Sequence, residues 1–256
     1  MNKETSNKQG GRILVLYYSQ TGVTRRLAES LSQMLGADIE PLCVEEPYGT
    51  DYDATIQRGL RELQSGTFPT LLPLGVSVQD YDTIFLGYPV WFGTYANPVA
   101  SFVSQQGLVG KTVVPFCTFG SGGLESSTAN LRQAMPEARV MDGYGVREVR
   151  IGKSEPELRD FLVASGYLPG EYHAPEAFSA QHPVSQQETA IYDTACGDYP
   201  FPLGTPLTVG QRNGKRGVDY RYEVEARDAE GNAFAQTVYV TVEPDGCTEF
   251  TRVVRL

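Results

Sequence analysis

The sequence is poor in the residues that build metal sites and disulfide frameworks. Its 256 residues include four cysteines and two histidines, and the cysteines stand far apart without a C-x-x-C pair. A structural zinc site needs several such ligands at close spacing, so we expect no metal site. Cys196 and Cys247 both fall in the C-terminal third and could form a disulfide, but the reducing conditions of a cytoplasm favour free thiols.

Long hydrophobic segments are also missing. No apolar run reaches the ~18 residues that a membrane-spanning helix needs, so we expect no membrane association. Residues 1–11 are polar and lack the apolar segment of a secretory signal. This predicts a flexible N-terminal arm and a cytoplasmic protein.

Positive charge is scarce. The chain has 21 Lys and Arg residues against 31 Asp and Glu residues, a formal net charge of −10. Binding to nucleic acid depends on Lys and Arg side chains that displace counterions from the phosphate backbone, so we expect no nucleic-acid partner. An acidic surface suits neutral small molecules and proteins with basic docking surfaces.

What the sequence does contain is an alternation of apolar runs and amphipathic stretches over residues 12–168. Short runs of apolar residues have the composition of strands that are buried on both faces, and helical patterns follow them. This order predicts an α/β domain with a doubly wound, parallel, five-stranded sheet. The predicted strands are 13–18, 38–42, 83–88, 111–117 and 139–141, and the predicted helices are 23–35, 124–134, 156–166 and one that begins near Asn97.

The character of the sequence changes after Gly166. Residues 169–183 carry three prolines and a glycine, which predicts a linker. Over 218–227 apolar and charged residues alternate, as in an antiparallel strand with one face in water. Residues 184–256 are therefore predicted to form a small C-terminal α+β domain, with a helix near 186–194 and a four-stranded antiparallel β-meander over 207–212, 218–227, 233–242 and 248–256.

The turn between the first strand and the first helix has the chemistry of an anion site. Its sequence, Ser19-Gln-Thr-Gly-Val-Thr24, places hydroxyl groups beside the unpaired N–H groups and positive dipole of a helix N-terminus. It lacks the Gly-Lys-Ser/Thr ending of a P-loop and the G-x-G-x-x-G of a dinucleotide loop. A monophosphate group therefore fits it best.

This S-x-T-G-x-T turn resembles the phosphate loop of the flavodoxin family. The segment Gly87–Pro98, after the third strand, resembles the loop that holds the flavin ring in flavodoxins, and Thr118–Gly123 corresponds to the third loop of the family. The resemblance covers residues 12–168. It implies a flavodoxin-like fold and an FMN cofactor at the carboxyl ends of the strands, where doubly wound sheets place their ligands.

The residue types of these loops suit the roles that the resemblance implies. The hydroxyl groups of the first loop would bind the phosphate, and Trp91, the single tryptophan of the chain, would stack on the isoalloxazine ring. Glycines in the other loops would let the backbone approach the ring edge. We predict no catalytic residue, and the predicted FMN-binding residues are Ser19, Gln20, Thr21, Gly22, Val23, Thr24, Pro89, Val90, Trp91, Phe92, Gly93, Tyr95, Thr118, Phe119, Gly120, Ser121 and Gly122.

Gly93 is expected to have a further role. In flavodoxins a peptide of the ring loop turns its carbonyl toward N5 of the flavin when an electron is taken up, which requires a residue that tolerates positive φ. Within Trp91-Phe-Gly-Thr94 we expect only Gly93 to have that freedom. A plain tight turn at Gly93 is the alternative.

Three functions are compatible with these features. The first is a flavodoxin-like carrier that moves one electron at a time between redox partner proteins. The second is an FMN-dependent NAD(P)H:quinone-type oxidoreductase, which has a closely similar fold and needs room for a nicotinamide above the flavin. The third is a partner-binding module that acts through residues 184–256. We favour the carrier because the sequence has no further nucleotide motif.

Overall fold

The structure is a computed structural model that describes residues 11–105, 108–197 and 199–255. Apart from Gly11, the predicted arm over residues 1–11 lies outside the described residues. The chain divides into two compact units, one that ends at Tyr172 and one that begins at His173. Each unit has its own hydrophobic core.

The first unit alternates strands and helices. Its strands are β1 (Ile13–Tyr17), β2 (Asp38–Pro41), β3 (Thr83–Trp91), β4 (Thr94–Tyr95), β5 (Thr112–Phe119), β6 (Arg139–Val140) and β7 (Tyr144–Arg147). Its helices are α1 (Val23–Leu35), α2 (Tyr52–Ser65), α3 (Asn97–Gln105), α4 (Leu124–Ala134) and α5 (Glu155–Ala164), with short 3-10 turns at Val78–Asp80 and Glu148–Lys153.

The predicted doubly wound parallel sheet is confirmed. Strands β2, β1, β3 and β5 lie parallel in that spatial order, and β6 and β7 share the fifth position beside β5. The predicted strand over 139–141 thus corresponds to β6 alone, and β7 is an additional strand that follows after Met141, Asp142 and Gly143. Asp and Gly are poor strand formers, which explains the interruption. Neighbouring residues of β1, such as Leu14 and Val15, belong to two different cores, because helices cover both faces of a parallel sheet.

Helix α2 has no counterpart among the predicted elements. Its signals are at its ends: the Asp51 carboxylate accepts a hydrogen bond from the backbone N–H of Ala54 at 2.7 Å, and Gly66 follows the last residue in the left-handed conformation. Within the helix only Gly59 is buried. A helix that buries so little lacks the apolar stripe on which the prediction depends.

The second unit contains helix α6 (Gln186–Cys196) and a five-stranded antiparallel sheet. The strands are β8 (His182–Pro183), β9 (Thr205–Asn213), β10 (Val218–Arg227), β11 (Ala233–Val242) and β12 (Thr248–Arg255), in the spatial order β12-β11-β10-β9-β8. The predicted α+β arrangement is confirmed, with one more strand than the predicted four-stranded meander.

The additional strand β8 comes from the predicted linker over 169–183, which is a correction to that prediction. The backbone N–H of Ser179 donates to the Gln211 carbonyl at 2.8 Å, and that of Val184 donates to the Leu207 carbonyl at 3.3 Å. The end of the predicted linker therefore lies along β9. Proline is tolerated at this position because an edge strand does not need every N–H group for the sheet.

Within the described residues, no helix is both long and apolar enough to cross a lipid bilayer. The four cysteines all lie in the described ranges, and none of them forms a disulfide there. Cys117 is completely buried in β5, and this burial raises the pKa of its thiol. Its position in an apolar core gives it the environment of a packing residue.

Candidate functional site

The three predicted ligand loops lie at the carboxyl ends of neighbouring parallel strands. The first joins β1 to α1, the second joins β3 to β4, and the third joins β5 to α4. Because β1, β3 and β5 are adjacent and parallel, their ends meet at one edge of the sheet. Segments that are about a hundred residues apart in the chain are thereby brought together.

The Ser19 side chain of the first loop forms hydrogen bonds within that loop and to the start of α1. Gly22 stands at the start of α1 with φ 87°, and Ser19 Oγ accepts hydrogen bonds from the N–H groups of Gly22 at 3.1 Å and Arg25 at 3.2 Å. A serine oxygen that accepts two hydrogen bonds can still donate its own hydrogen to a ligand. Thr21 is exposed and Val23 is partly exposed at the same turn. Together with the helix dipole, these groups are suited to an anion.

Two predicted residues of the first loop are hydrogen-bonded to other segments of the first unit. Thr24 is 1% exposed, and its hydroxyl lies 2.8 Å from the Thr118 hydroxyl, which joins the first loop to the third. Gln20 donates from Nε2 to the backbone carbonyls of Tyr48 at 3.2 Å and Gly49 at 2.9 Å. Both side chains therefore already have protein partners.

The second loop is a two-residue hairpin turn. Trp91 pairs with Thr94, and the residues between them, Phe92 and Gly93, have φ values of 51° and 75°. Positive φ at both central residues is typical of a type I′ turn. The expectation that only Gly93 can adopt positive φ is therefore wrong. Among the described residues Phe92 is the one non-glycine residue with positive φ, a conformation that is strained for a bulky side chain.

Helix α4 holds this turn in place. The Ser126 hydroxyl donates to the Gly93 carbonyl at 2.6 Å, and Asn130 Nδ2 donates to the Thr94 hydroxyl at 2.9 Å. A β-carbon on Gly123 would lie 2.6 Å from a methyl group of Val90, so a residue without a side chain is needed where the third loop meets the second.

The third loop begins in the core and ends at the surface. Thr118 and Phe119 are buried at the end of β5, Gly120 is exposed, and Ser121 and Gly122 are partly exposed. Nε of Arg147, at the end of β7, donates to the Gly120 carbonyl at 2.7 Å. The structure thus places a cation beside the loop, and sequence reasoning did not identify it.

Trp91 lies half-buried in an aromatic cluster. Its ring centroid is 5.0 Å from that of Tyr48 and 5.8 Å from that of Tyr18, with near-perpendicular planes in both pairs. Burial raises the pKa of both tyrosines. Tyr95 is also half-buried but contacts the ring of the fully buried Tyr88 instead, at a centroid distance of 6.1 Å. Pro89 is partly exposed at the end of β3.

Sequence reasoning missed the residues that surround Tyr48. The side chains of Arg58 and Glu62 come from α2, and that of Asn97 comes from the first residue of α3. No local pattern identifies them, because they approach Tyr48 only after the chain has folded. The capping signals of α2 could have located the helix, but not its contacts.

A separate cavity of about 360 Å³ lies at the opposite edge of the sheet. It is lined by residues that precede or begin the parallel strands, among them Asp82, Thr83 and Thr112. Doubly wound sheets bind ligands at the carboxyl ends of their strands. We therefore assign the candidate site to the three loops and not to this cavity.

Comparisons with known proteins concern the first unit. A family model for flavodoxin matches residues 12–160. A protein from Bacteroides eggerthii that is classed as a flavoprotein is 29% identical, with 60% of this chain and 98% of that one covered at a TM-score of 0.52. A second such protein, from Bacteroides uniformis, is 25% identical, with 59% and 99% covered at a TM-score of 0.53. A flavoprotein from Lactobacillus acidophilus, solved in complex with FMN, is 25% identical, with 56% and 98% covered at a TM-score of 0.48.

Proposed function

Because the chain belongs to the flavodoxin family, we propose that it binds FMN in its first unit and carries electrons, one at a time, between redox partner proteins. Bound FMN would supply the redox chemistry, since the flavin ring can accept and release single electrons. The protein's part is to bind the phosphate and the ring, and to control access to them.

The observation that carries this proposal is the convergence of three loops at one edge of the parallel sheet. The hydroxyl pair of Thr24 and Thr118 joins the first loop to the third, at 2.8 Å. The hydrogen bond from Ser126 to the Gly93 carbonyl, at 2.6 Å, joins the second loop to the helix that follows the third. A site whose parts are already connected needs little ordering when a ligand binds.

The groups available in these loops fit the two ends of FMN. At the first loop, the exposed Thr21 hydroxyl, the Ser19 hydroxyl hydrogen and the N-terminus of α1 offer donors to a phosphate. At the second loop, Trp91 offers an aromatic surface to a flat, largely apolar ring. At the third loop, Gly120 and Gly122 leave the backbone accessible to the polar edge of the ring.

The negative net charge of the chain supports the proposal that its redox partners have basic docking surfaces. The stretch 12–168 has 12 basic and 17 acidic residues, and the whole chain has a formal net charge of −10. Such an excess of negative charge accelerates association with positively charged proteins. The ring of Phe92, 38% exposed beside the proposed flavin site, adds an apolar contact at the same edge.

The proposal is tested by purifying the full chain, measuring its visible spectrum and reducing it stepwise with dithionite. We expect a yellow protein with one FMN per chain that takes up electrons in two separate one-electron steps. Steady NADPH consumption with a quinone acceptor would instead identify the protein as an FMN-dependent oxidoreductase and contradict the carrier proposal. A colourless protein that does not take up added FMN would contradict both.

A further inference from the structure

A carboxylate lies behind the aromatic cluster of the candidate site. The Glu62 side chain is 13% exposed and accepts hydrogen bonds from three side chains: the Tyr48 phenol, Arg58 Nε at 2.8 Å and Asn97 Nδ2 at 2.8 Å. These donors come from the loop after β2, from α2 and from the start of α3. Charge-assisted hydrogen bonds of this kind are among the stronger ones in proteins.

The same carboxylate controls Tyr48 in two ways. Its hydrogen bond holds the hydroxyl end of the phenol, and its ion pair with Arg58 holds the guanidinium 4.1 Å from the centre of the Tyr48 ring. The first contact fixes the position of the ring, and the second restricts its tilt, because a cation is attracted to the ring face. Tyr48 in turn meets Trp91 at a centroid distance of 5.0 Å with an interplanar angle of 80°.

We infer that Glu62 is a positioning residue: by holding Tyr48, it fixes the plane of the Trp91 indole ring. The reason to expect an effect on Trp91 is its half-buried state, since a partly exposed ring has room to tilt unless a neighbour prevents it. The consequence of this arrangement for flavin binding rests on the proposed function. The orientation of the Trp91 ring can be measured in the protein without a ligand, so it does not depend on that function.

A purely structural role for Glu62 makes a different prediction. Asn97 donates to both Glu62 and the Gly59 carbonyl, the latter at 2.9 Å, so the cluster also attaches α2 to the start of α3. If attachment of α2 were its whole role, removal of the Tyr48 hydroxyl would leave Trp91 unaffected, because the bonds from Arg58 and Asn97 would remain.

The test compares Tyr48→Phe with Tyr81→Phe, which is a matched control. Tyr81 is also a buried tyrosine whose hydroxyl donates to a carboxylate, that of Asp38 at 2.7 Å, with the Arg12 guanidinium 4.6 Å from its ring centre. It lies just before β3, at the other end of the strands. The first readout needs no flavin: near-ultraviolet circular dichroism in the tryptophan band, and fluorescence anisotropy of Trp91, the only tryptophan.

We expect Tyr48→Phe to lower both the circular dichroism signal and the anisotropy of Trp91, and Tyr81→Phe to change neither. In titrations, Tyr48→Phe should weaken FMN and riboflavin binding by the same factor, at most roughly tenfold, because the hydrogen bond that it removes lies within the protein and acts on the flavin only through Trp91. Glu62→Ala should have a larger effect than Glu62→Gln, because the glutamine carbonyl can still accept from the phenol.

Identical Trp91 signals in Tyr48→Phe, Tyr81→Phe and wild type would overturn the inference, even if Glu62→Ala failed to fold. A loss of FMN affinity without a matching loss for riboflavin would overturn the link between Trp91 orientation and flavin binding, since that pattern belongs to the phosphate end. If the wild-type protein bound no flavin, the proposed function would fail, while the flavin-free Trp91 signals would still decide whether Glu62 positions this ring.

Discussion

The two units of the chain place their polar side chains in different ways. In the second unit, charged residues on the antiparallel sheet and in its turns pair with one another: Arg212 with Asp219 at 3.0 Å, and Arg216 with Glu243 and Glu249 at 3.0 Å each. In the first unit, the polar groups of the candidate site gather where strands end, as in the contact between Thr24 and Thr118.

This difference follows from the two kinds of sheet. An antiparallel sheet with one face in water has polar residues along every strand, where they find neighbours of opposite charge. A parallel sheet that is buried on both faces has polar positions mainly at its ends. Ligand-binding chemistry is therefore concentrated in the loops of the first unit. Substitutions in one unit should change flavin binding, and substitutions in the other should change only local stability.

The largest expected effect comes from Trp91→Ala. Loss of a large aromatic contact of about 2–3 kcal/mol should weaken the binding of FMN and riboflavin alike, by a factor of about 30 to 140. Quenching of flavin fluorescence on binding measures both affinities. The control is Tyr239→Ala in the second unit, where Arg252 lies 4.5 Å from the ring centre of Tyr239. Equal losses in the two variants would remove the distinction between the units.

The next effect concerns the phosphate end. Thr21→Ala removes one hydrogen bond to a charged acceptor and should weaken FMN binding by roughly tenfold to a hundredfold, while riboflavin binding changes little. Thr24→Val, a substitution of similar shape, should instead lower the free energy of unfolding by about 1 kcal/mol, because it breaks the buried bond to Thr118. Calorimetric titration with each flavin measures the first effect. An equal loss for riboflavin in Thr21→Ala would argue against a phosphate contact.

A smaller effect, confined to the second unit, is expected from Ser185→Ala. Ser185 is the N-cap residue that precedes α6, and it forms a capping box: its hydroxyl accepts from the Glu188 N–H at 3.3 Å, and the Glu188 carboxylate accepts from the Ser185 N–H at 2.9 Å. Loss of such a cap costs about 1 kcal/mol. Hydrogen exchange should therefore accelerate in α6, with the affinity for FMN unchanged. A change in FMN affinity would show that the second unit contributes to the flavin site.

The smallest expected effect is a decrease in the stability of the second unit at acidic pH. Burial alone would raise the pKa of Glu188, but hydrogen bonds from Ser185 and His182 hold it below its usual value near 4.5. A carboxylate with a lowered pKa stabilises the folded state above its usual pKa, and this contribution is lost as pH falls through the lowered value. As the pH falls below 4.5, the melting temperature should decrease more in the wild type than in Glu188→Gln. Parallel pH profiles would contradict this.

Elements with strong boundaries could be predicted from the sequence almost to the residue. Helix α4 begins after Gly123 and ends before Pro136, and β11 lies between two turn sequences; both match their predicted ranges. Helix α2 could not be found in the same way, because nearly all of its side chains are exposed or half-buried. Strand β8 was missed because two residues that include a proline do not read as a strand.

The candidate site shows the same limit. Its loops could be located from the residue types at strand ends, as with Trp91. The residues that hold these loops in place could not be predicted from the sequence, because Tyr48 and Glu62 approach Trp91 only through tertiary packing. The positive φ of Phe92 was also unforeseen, since the hairpin geometry imposes it against the preference of the residue.

The three loops of the first unit are proposed to form an FMN site. This proposal is tested most directly by adding FMN to the full chain, freed of any bound flavin, while Trp91 fluorescence is followed. Because Trp91 is the only tryptophan, its emission reports on this site alone. We expect quenching that saturates at one FMN per chain. Emission that stays unchanged at saturating FMN, or that falls without saturating, would contradict it.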